Sequence, residues 1–384
     1  MSIDLEPRPI VTGASVTVEA PVLTFVRTEP ASTDVVETAP RRILSTTTAE
    51  QRFELVGCWV AAFALSWLIC GRLLPWHGAL IFVVVTVVAG ISLLAMMTAL
   101  DAGWPEVVDR IVSSTVHLGA LLVGFALMST VTFVLFRGSS SLLHLNTFFD
   151  DMSGVGPRDP LNRGGVAHAI VGSLIQIGIA IVVTIPLGIG TAIYMTEIGG
   201  RFARIVRTIV EAMTALPSIV AGLFIYTTLI VGLEMPRSGL AAAMALAVMM
   251  LPIIARASDV VLRVVPGNLR EASLALGASR WRTVWHIVLP TARPGLATAV
   301  ILGVARGIGE TSPVLLTSGT AAFMVTSPTG GVMNSLPLFI FSTARSGEPL
   351  YIDRAYGAAS ILLLLVLILF VTARLLARPR KGTR

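Results

Sequence analysis

Residues 78 to 100 run for twenty-three positions without one charged side chain. At about 1.5 Å per residue such a stretch makes a helix of roughly 34 Å, close to the ~30 Å hydrocarbon thickness of a bilayer. Comparable runs recur near residues 53–71, 112–136, 166–195, 209–233, 238–256, 294–318 and 356–377. The pattern predicts eight spanning helices. The first carries Glu54 and Trp67 near its ends, and the fifth is interrupted by Pro217. With 54% hydrophobic and 13% charged residues, the chain holds more apolar surface than an ordinary soluble domain of 384 residues can cover, so lipid must solvate much of it. The expected fold class is an all-α, polytopic membrane protein.

The basic residues orient the helices. If the first helix runs outward, fifteen fall on one side: Arg110, Arg201, Arg204, Arg207, Arg256, Arg263, Arg270, Arg280, Arg282, Arg293, Arg374, Arg378, Arg380, Lys381 and Arg384. Seven fall on the other: Arg72, Arg137, Arg158, Arg163, Arg237, Arg345 and Arg354. The positive-inside rule then puts both termini, and the loop holding Glu271, on the cytoplasmic side of the membrane. The net charge of +6 is thereby a topology signal, and no basic face with stacking aromatics points to nucleic acid.

Residues 1–52, rich in Thr, Val, Glu, Pro and Ser, read as a mostly disordered cytoplasmic tail, with no apolar centre of a signal peptide. Residues 53–104 read as a transmembrane hairpin, and 105–384 as the main membrane body with a cytoplasmic loop over 257–293. Cys58 and Cys70 sit twelve positions apart on one helix, about 18 Å, too far for a disulfide. No metal-ligand spacing and no catalytic constellation is present, so neither a metal site nor a catalytic residue is expected. A P-loop is excluded as well, because the sole lysine, Lys381, follows Arg380 and precedes Gly382.

Between two apolar runs lies Glu271-Ala-Ser-Leu-Ala-Leu-Gly277, followed by Ile287-Val-Leu-Pro290. Pro266-Gly267 should end the preceding segment, Asn268 should cap a new helix, and Glu271 at its third position should reach back to the cap. Ala272, Ala275 and Leu276 give small and apolar groups at helical spacing, Gly277 permits a turn, and Arg280, Trp281, Arg282 and Trp285 open a second amphipathic stretch that Pro290 should close. Two short helices at an angle make a knob suited to a partner's groove. An amphipathic helix resting on lipid is the other reading.

Glu271, Ala272, Ser273, Gly277, Ile287, Leu289 and Pro290 resemble, in order and spacing, the cytoplasmic loop signature of type I ABC importer permeases, with Ser273 where the family usually has a second alanine. Leu216-Pro-Ser-Ile-Val-Ala-Gly-Leu-Phe224, Arg306-Gly-Ile-Gly-Glu-Thr-Ser-Pro313 and Asn334-Ser-Leu-Pro337 narrow the resemblance to the PstA type of phosphate importer permease. The resemblance implies a six-helix permease core, with the N-terminal hairpin as an addition. It also implies a coupling helix at the Glu271 loop, and an assembly with a PstC-type sister permease, two PstB-type ATPase subunits and a PstS-type extracytoplasmic phosphate-binding protein. ATP and Mg would belong to the ATPase partners, and this chain would bind no cofactor. Thr147-Phe-Phe149 and the loop over 319–353 are candidates for meeting the binding protein.

Arg306 and Glu310 fall inside an apolar run, where each charge costs roughly 2.5–3.5 kcal/mol on insertion scales and needs compensation. At i and i+4 they can pair. The Arg306 guanidinium fits two phosphate oxygens. Glu310 can orient it, or accept a bond from protonated phosphate and so disfavour fully deprotonated oxyanions. Thr311, Ser312 and Ser218 are further candidate substrate contacts, although Ser and Thr hydroxyls often bond back to their own helix. Gly303, Gly307 and Gly309 flank the pair; Gly303 and Gly307 make a spacing that admits a close helix neighbour. The alternatives are an ion pair that only locks packing, a permease for another oxyanion such as sulfate or molybdate, and a gated anion channel.

Overall fold

The computed structural model describes residues 49–73 and 78–376. Residues 1–48 of the expected tail, and the basic residues Arg378, Arg380, Lys381 and Arg384, lie outside the described residues. The described chain is helical, with fourteen α-helices: α1 Ala49–Leu68, α2 Ala79–Asp101, α3 Trp104–Leu142, α4 Asn146–Phe149, α5 Ala167–Ile193, α6 Gly200–Thr214, α7 Ser218–Ile225, α8 Gly239–Val264, α9 Gly267–Ala275, α10 Arg280–Thr283, α11 Leu289–Ile308, α12 Ser312–Thr317, α13 Leu336–Ala344 and α14 Pro349–Leu376. Wider π-helical turns extend four of them, at Ile69–Leu73, Tyr194–Ile198, Tyr226–Gly232 and Val284–Val288. No β-strand occurs among the described residues.

Seven helices among the described residues are long and apolar enough to cross a membrane, and α6 with α7 and its π-helical turn makes an eighth candidate bent by 107°. The interruption expected at Pro217 within 209–233 is thus a sharp bend between two helices, the first of which begins earlier, at Gly200. Pro217 supplies no amide donor and biases Leu216 away from helix, so the chain turns sharply at Ala215–Pro217. The span expected over 294–318 is corrected. It runs instead from Arg280 to Ile308 and stops, because Gly309 ends α11 and a separate helix begins at Ser312. Pro290 does not close the preceding stretch. The π-helical turn at Val284–Val288 carries the chain into α11, and Pro290 sits in the first turn, where a missing amide costs little.

The chain divides into two compact units at Leu118/Gly119, within α3. In the first, α1 and α2 form a hairpin. Trp59 covers Gly90, Phe63 meets Phe82 edge-to-face at 5.3 Å, and Leu94 is buried. Cys58 and Cys70 are free thiols in this unit.

In the second unit α8 is the central helix. Ser238 caps it by accepting the Ala241 amide at 3.3 Å. Ala241, Ala242, Ala243, Ala245 and Ala247 are spread around its first turns, leave them almost without protrusions, and are all buried. Neighbouring backbones approach closely against such small residues. Gly188 of α5 and Gly303 of α11 both lie against Ile254 of α8, and Gly307 lies against Met250. A methyl added at Gly188 would stand 2.8 Å from Ile254. The spacing of Gly303 and Gly307 thus serves close packing of α11 on α8, and Ile177, Leu246, Ile308, Val314 and Leu338 complete that core.

Candidate functional site

The Glu271 segment forms α9. Pro266, not Asn268, occupies the cap position, and no side chain caps the helix. Asn268 is the second helical residue and Glu271 the fifth, so the expected capping box does not form. The fixed φ of −57° at Pro266 with ψ of 133° already starts the turn one residue early. Gly277 adopts φ +82°, the left-handed conformation that favours glycine, and its amide donates to the Leu274 carbonyl at 2.9 Å. Ser279 then caps α10 by accepting from the Arg282 amide.

Ser273 explains itself in the structure. It is buried, and its hydroxyl meets that of Thr283 at 2.9 Å, tying α9 to α10. The outer surface of this knob carries Glu271 and Ala272, Leu276 at 89% exposure, and Trp281 with Trp285, which meet edge-to-face at 5.5 Å. Ile287, Leu289 and Pro290 are half-buried where the knob joins α11.

Behind the knob lies an ionic joint. Arg270 donates Nη2 and Nε to one oxygen of Glu197 at 2.9 and 3.1 Å, and further bonds reach the carbonyls of Leu262 and Val265, each at 2.8 Å. One turn away, Asp259 is 1% exposed and accepts from Arg263 at 3.0 Å, Arg207 at 3.3 Å and Thr196 at 3.4 Å. A buried carboxylate of this kind persists only when cations and donors surround it.

Arg306 lies in the last turn of α11, while Glu310 lies outside any helix, in the break before α12. This corrects the expectation of both inside one continuous helix. They form an ion pair, Nη2 to Oε1 at 3.5 Å, with Arg306 57% and Glu310 16% exposed. The distance is long for a charge-assisted bond, so the guanidinium keeps donors for another acceptor. Thr311 and Ser312 are half-buried, and among the described residues their hydroxyls make no hydrogen bond.

The three sequence segments around this break converge. Gly222 of α7 packs on Pro313 of α12 so closely that an added methyl would stand 2.6 Å from the Pro313 Cα. Ser218 lies one turn before Gly222, on the same side of α7. The Asn334–Pro337 segment lies over α5 at Gly172, and the Leu336 amide donates to Ser173 Oγ at 2.7 Å. Glu310 shares a small cavity with Ser173, Gln176, Leu246, Gly307 and Ser335.

Several of these residues escape sequence reasoning. Ser173 and Gln176 lie within an apolar run and Ser335 in a loop; Ser335 Oγ is buried with no partner among the described residues. Gln176 does carry a signal, as an amide in the middle of a spanning run. Arg354, read as a loop charge, is buried in α14, and its Nη2 holds the carbonyls of Asp159, Pro160 and Arg163 at 2.9–3.0 Å. Thr147 is buried, while Phe149 of the same short helix is exposed.

The family described as "Binding-protein-dependent transport system inner membrane component" matches residues 184–379. The chain is 42% identical over 204 residues to the phosphate transport system permease protein PstA 1 of Mycobacterium tuberculosis (strain CDC 1551 / Oshkosh), covering 53% of this chain and 67% of that protein. It is 39% identical over 234 residues to PstA of Mycobacterium leprae (strain TN), covering 61% and 76%. It is 33% identical over 263 residues to PstA of Pasteurella multocida (strain Pm70), covering 68% and 91%.

Proposed function

The chain belongs to the binding-protein-dependent transport system inner membrane component family, and from that premise we propose that it is the transmembrane permease subunit of an ATP-driven inorganic phosphate importer. The observation that carries the proposal is the placing of a partly exposed guanidinium, Arg306, beside Glu310 at a break between two helices. Irregular backbone at membrane depth is tolerated where it lines a cavity or a path, and an arginine there suits a phosphate oxyanion. Arg306 would grip two phosphate oxygens. Glu310 would accept a proton-bearing oxygen, and Thr311, Ser312 and Ser218 would add hydroxyl donors. Relatives named as phosphate permeases, at 33–42% identity, support the choice of solute.

The Glu271–Pro290 knob would dock on a separate ATPase, with a sister permease completing the path and an external binding protein delivering phosphate. Its exposed Leu276, Trp281 and Trp285 support such a role. ATP and Mg would sit on the ATPase partners, and the absence of a P-loop supports a subunit that performs no hydrolysis of its own. In this scheme residues 1–52 are a cytoplasmic tail, 53–104 an added hairpin and 105–384 the permease core with its coupling loop at 257–293. Both termini and the knob face the cytoplasm of the bacterial cell.

The test is phosphate uptake and phosphate-stimulated ATPase activity of the reconstituted complex with Arg306→Lys and Arg306→Gln. Collapse of uptake with assembly and basal ATPase activity retained supports the site. Uptake surviving in both variants reduces Arg306 and Glu310 to a packing pair. Competition by sulfate and molybdate, before and after Glu310→Gln, separates phosphate from other oxyanions, and transport without nucleotide would indicate a channel.

A further inference from the structure

The amphipathic helix α6 has three distinct sides. Val210 packs with Met195 and Ala255, Ala203 is buried on the same side, and Arg207 is drawn in to Asp259 and the Met195 carbonyl. At 100° per residue a second stripe carries Phe202, Ile205 and Ile209, which are 63%, 54% and 53% exposed. A third stripe, next to the second, carries Arg201, Arg204 and Thr208, all exposed. Among the described residues neither Arg201 nor Arg204 has an acidic partner.

The helix follows the spanning segment Ala167–Ile198 and turns by 107° into Ser218–Gly232, so its axis runs across that of the apolar segment that follows it. Phe202 meets Tyr194, at the end of the preceding span, edge-to-face at 6.0 Å, placing an aromatic pair at that corner. Tyrosine at such a corner favours the level of lipid headgroups.

We propose that α6 is a lipid-binding element lying in the membrane–water interface, with Phe202, Ile205 and Ile209 among the acyl chains and Arg201 and Arg204 on the phosphates of anionic lipids. Apolar and cationic stripes side by side on one short helix satisfy the two halves of an interface at once. Guanidinium forks match lipid phosphate as they match any phosphate oxyanion. The inference rests on the arrangement of spans and not on which solute passes, so it stands or falls separately from the transport role.

The test uses the full chain in its assembled complex, with Cys58→Ser and Cys70→Ser as background, in phosphatidylcholine vesicles with and without phosphatidylglycerol. A nitroxide at Ile205→Cys should collide more with oxygen than with a water-soluble nickel chelate, and one at Thr208→Cys the reverse. A label at 205 that meets nickel more than oxygen, or meets neither because protein covers it, overturns the proposal. Independently, spin-labelled phosphatidylglycerol should be preferred over phosphatidylcholine at the protein surface. Arg201→Gln with Arg204→Gln should lower that preference by up to about fivefold for each arginine, the equivalent of about 1 kcal/mol apiece, while Arg201→Lys with Arg204→Lys keeps it. An unchanged preference in the glutamine variant also overturns the proposal.

Discussion

Arg270 and Glu197 stand 73 positions apart and meet through two hydrogen bonds to a single carboxylate oxygen, at 2.9 and 3.1 Å. The same guanidinium holds the carbonyls at the end of α8, so the knob helix α9, the end of α5 and the end of α8 are joined at one side chain. If the knob docks on an ATPase, force reaches the helices through this joint. Arg270→Gln should leave ATPase activity in the assembled complex but lower phosphate taken up per ATP severalfold. Arg270→Lys, which keeps the charge and loses the fork, should fall between. Proteoliposome uptake with parallel phosphate release measures the ratio, and a wild-type ratio in Arg270→Gln would remove the joint from coupling.

Asp259 poses a different test, because its own burial is nearly complete while Arg207 and Arg263 are 29% and 50% exposed. Solvent screens the arginines and discounts the pair. Asp259→Asn should therefore destabilise by about 1–3 kcal/mol, below the cost of breaking a fully buried pair. Adding Arg207→Leu should restore part of the loss, since that arginine would no longer sit against an uncharged partner. Unfolding in detergent, run as a double-mutant cycle, reads the coupling.

Gly222 touches backbone of Pro313, which cannot swing aside as a side chain would. Gly222→Ala should cost about 1–3 kcal/mol through overpacking and displace α12 from α7. Gly178 of α5 has no atom within 4 Å of an added methyl. Gly178→Ala should be neutral or stabilising by up to about 1 kcal/mol. Thermal midpoints and uptake of the two variants should diverge; equal behaviour would mean that the α7–α12 contact is not tight.

The loop after α4 offers a pH-dependent contact. Asp151 accepts the Ser153 amide at 3.0 Å and the Met324 amide at 3.1 Å, and these bonds hold its carboxyl below the usual range. A carboxyl with a lowered value in the folded protein adds stability above its unfolded value, about 3.9, and loses it as pH falls through the folded value. Protection of the Met324 amide against hydrogen exchange, corrected for intrinsic rates, should fall below about pH 4. Asp151→Asn should show the low protection at every pH. A wild-type profile that stays flat through that range would count against the contact.

The spans were legible because twenty or so apolar residues leave a chain little choice, and Pro217 marked the sharpest turn in advance. Where α11 stops was not legible: hydropathy stays high through Ile308, Val314 and Leu315, and only the backbone at Gly309 shows that the helix has ended. Asn268 resembled a cap, yet Pro266 took the position first. Arg306 and Glu310 stood out because charge in an apolar run is costly. Arg207, Asp259, Arg270 and Glu197 looked like ordinary surface or topology charges, since their partners lie 52 and 73 positions away and no local rule brings them together. Ser335 gave no local sign of burial, which comes from α5 and α13 folding over it.

The central helix α8 is held differently at its two ends. From Ala241 to Ile254 it packs through its own alanines and through the glycines of α5 and α11, contacts that salt scarcely touches. At Asp259 and at the carbonyls beneath Arg270 it is held by charges, some of them half open to water. Rising ionic strength would therefore loosen one end of the helix and leave the other seated, turning a bolted shaft into one that pivots.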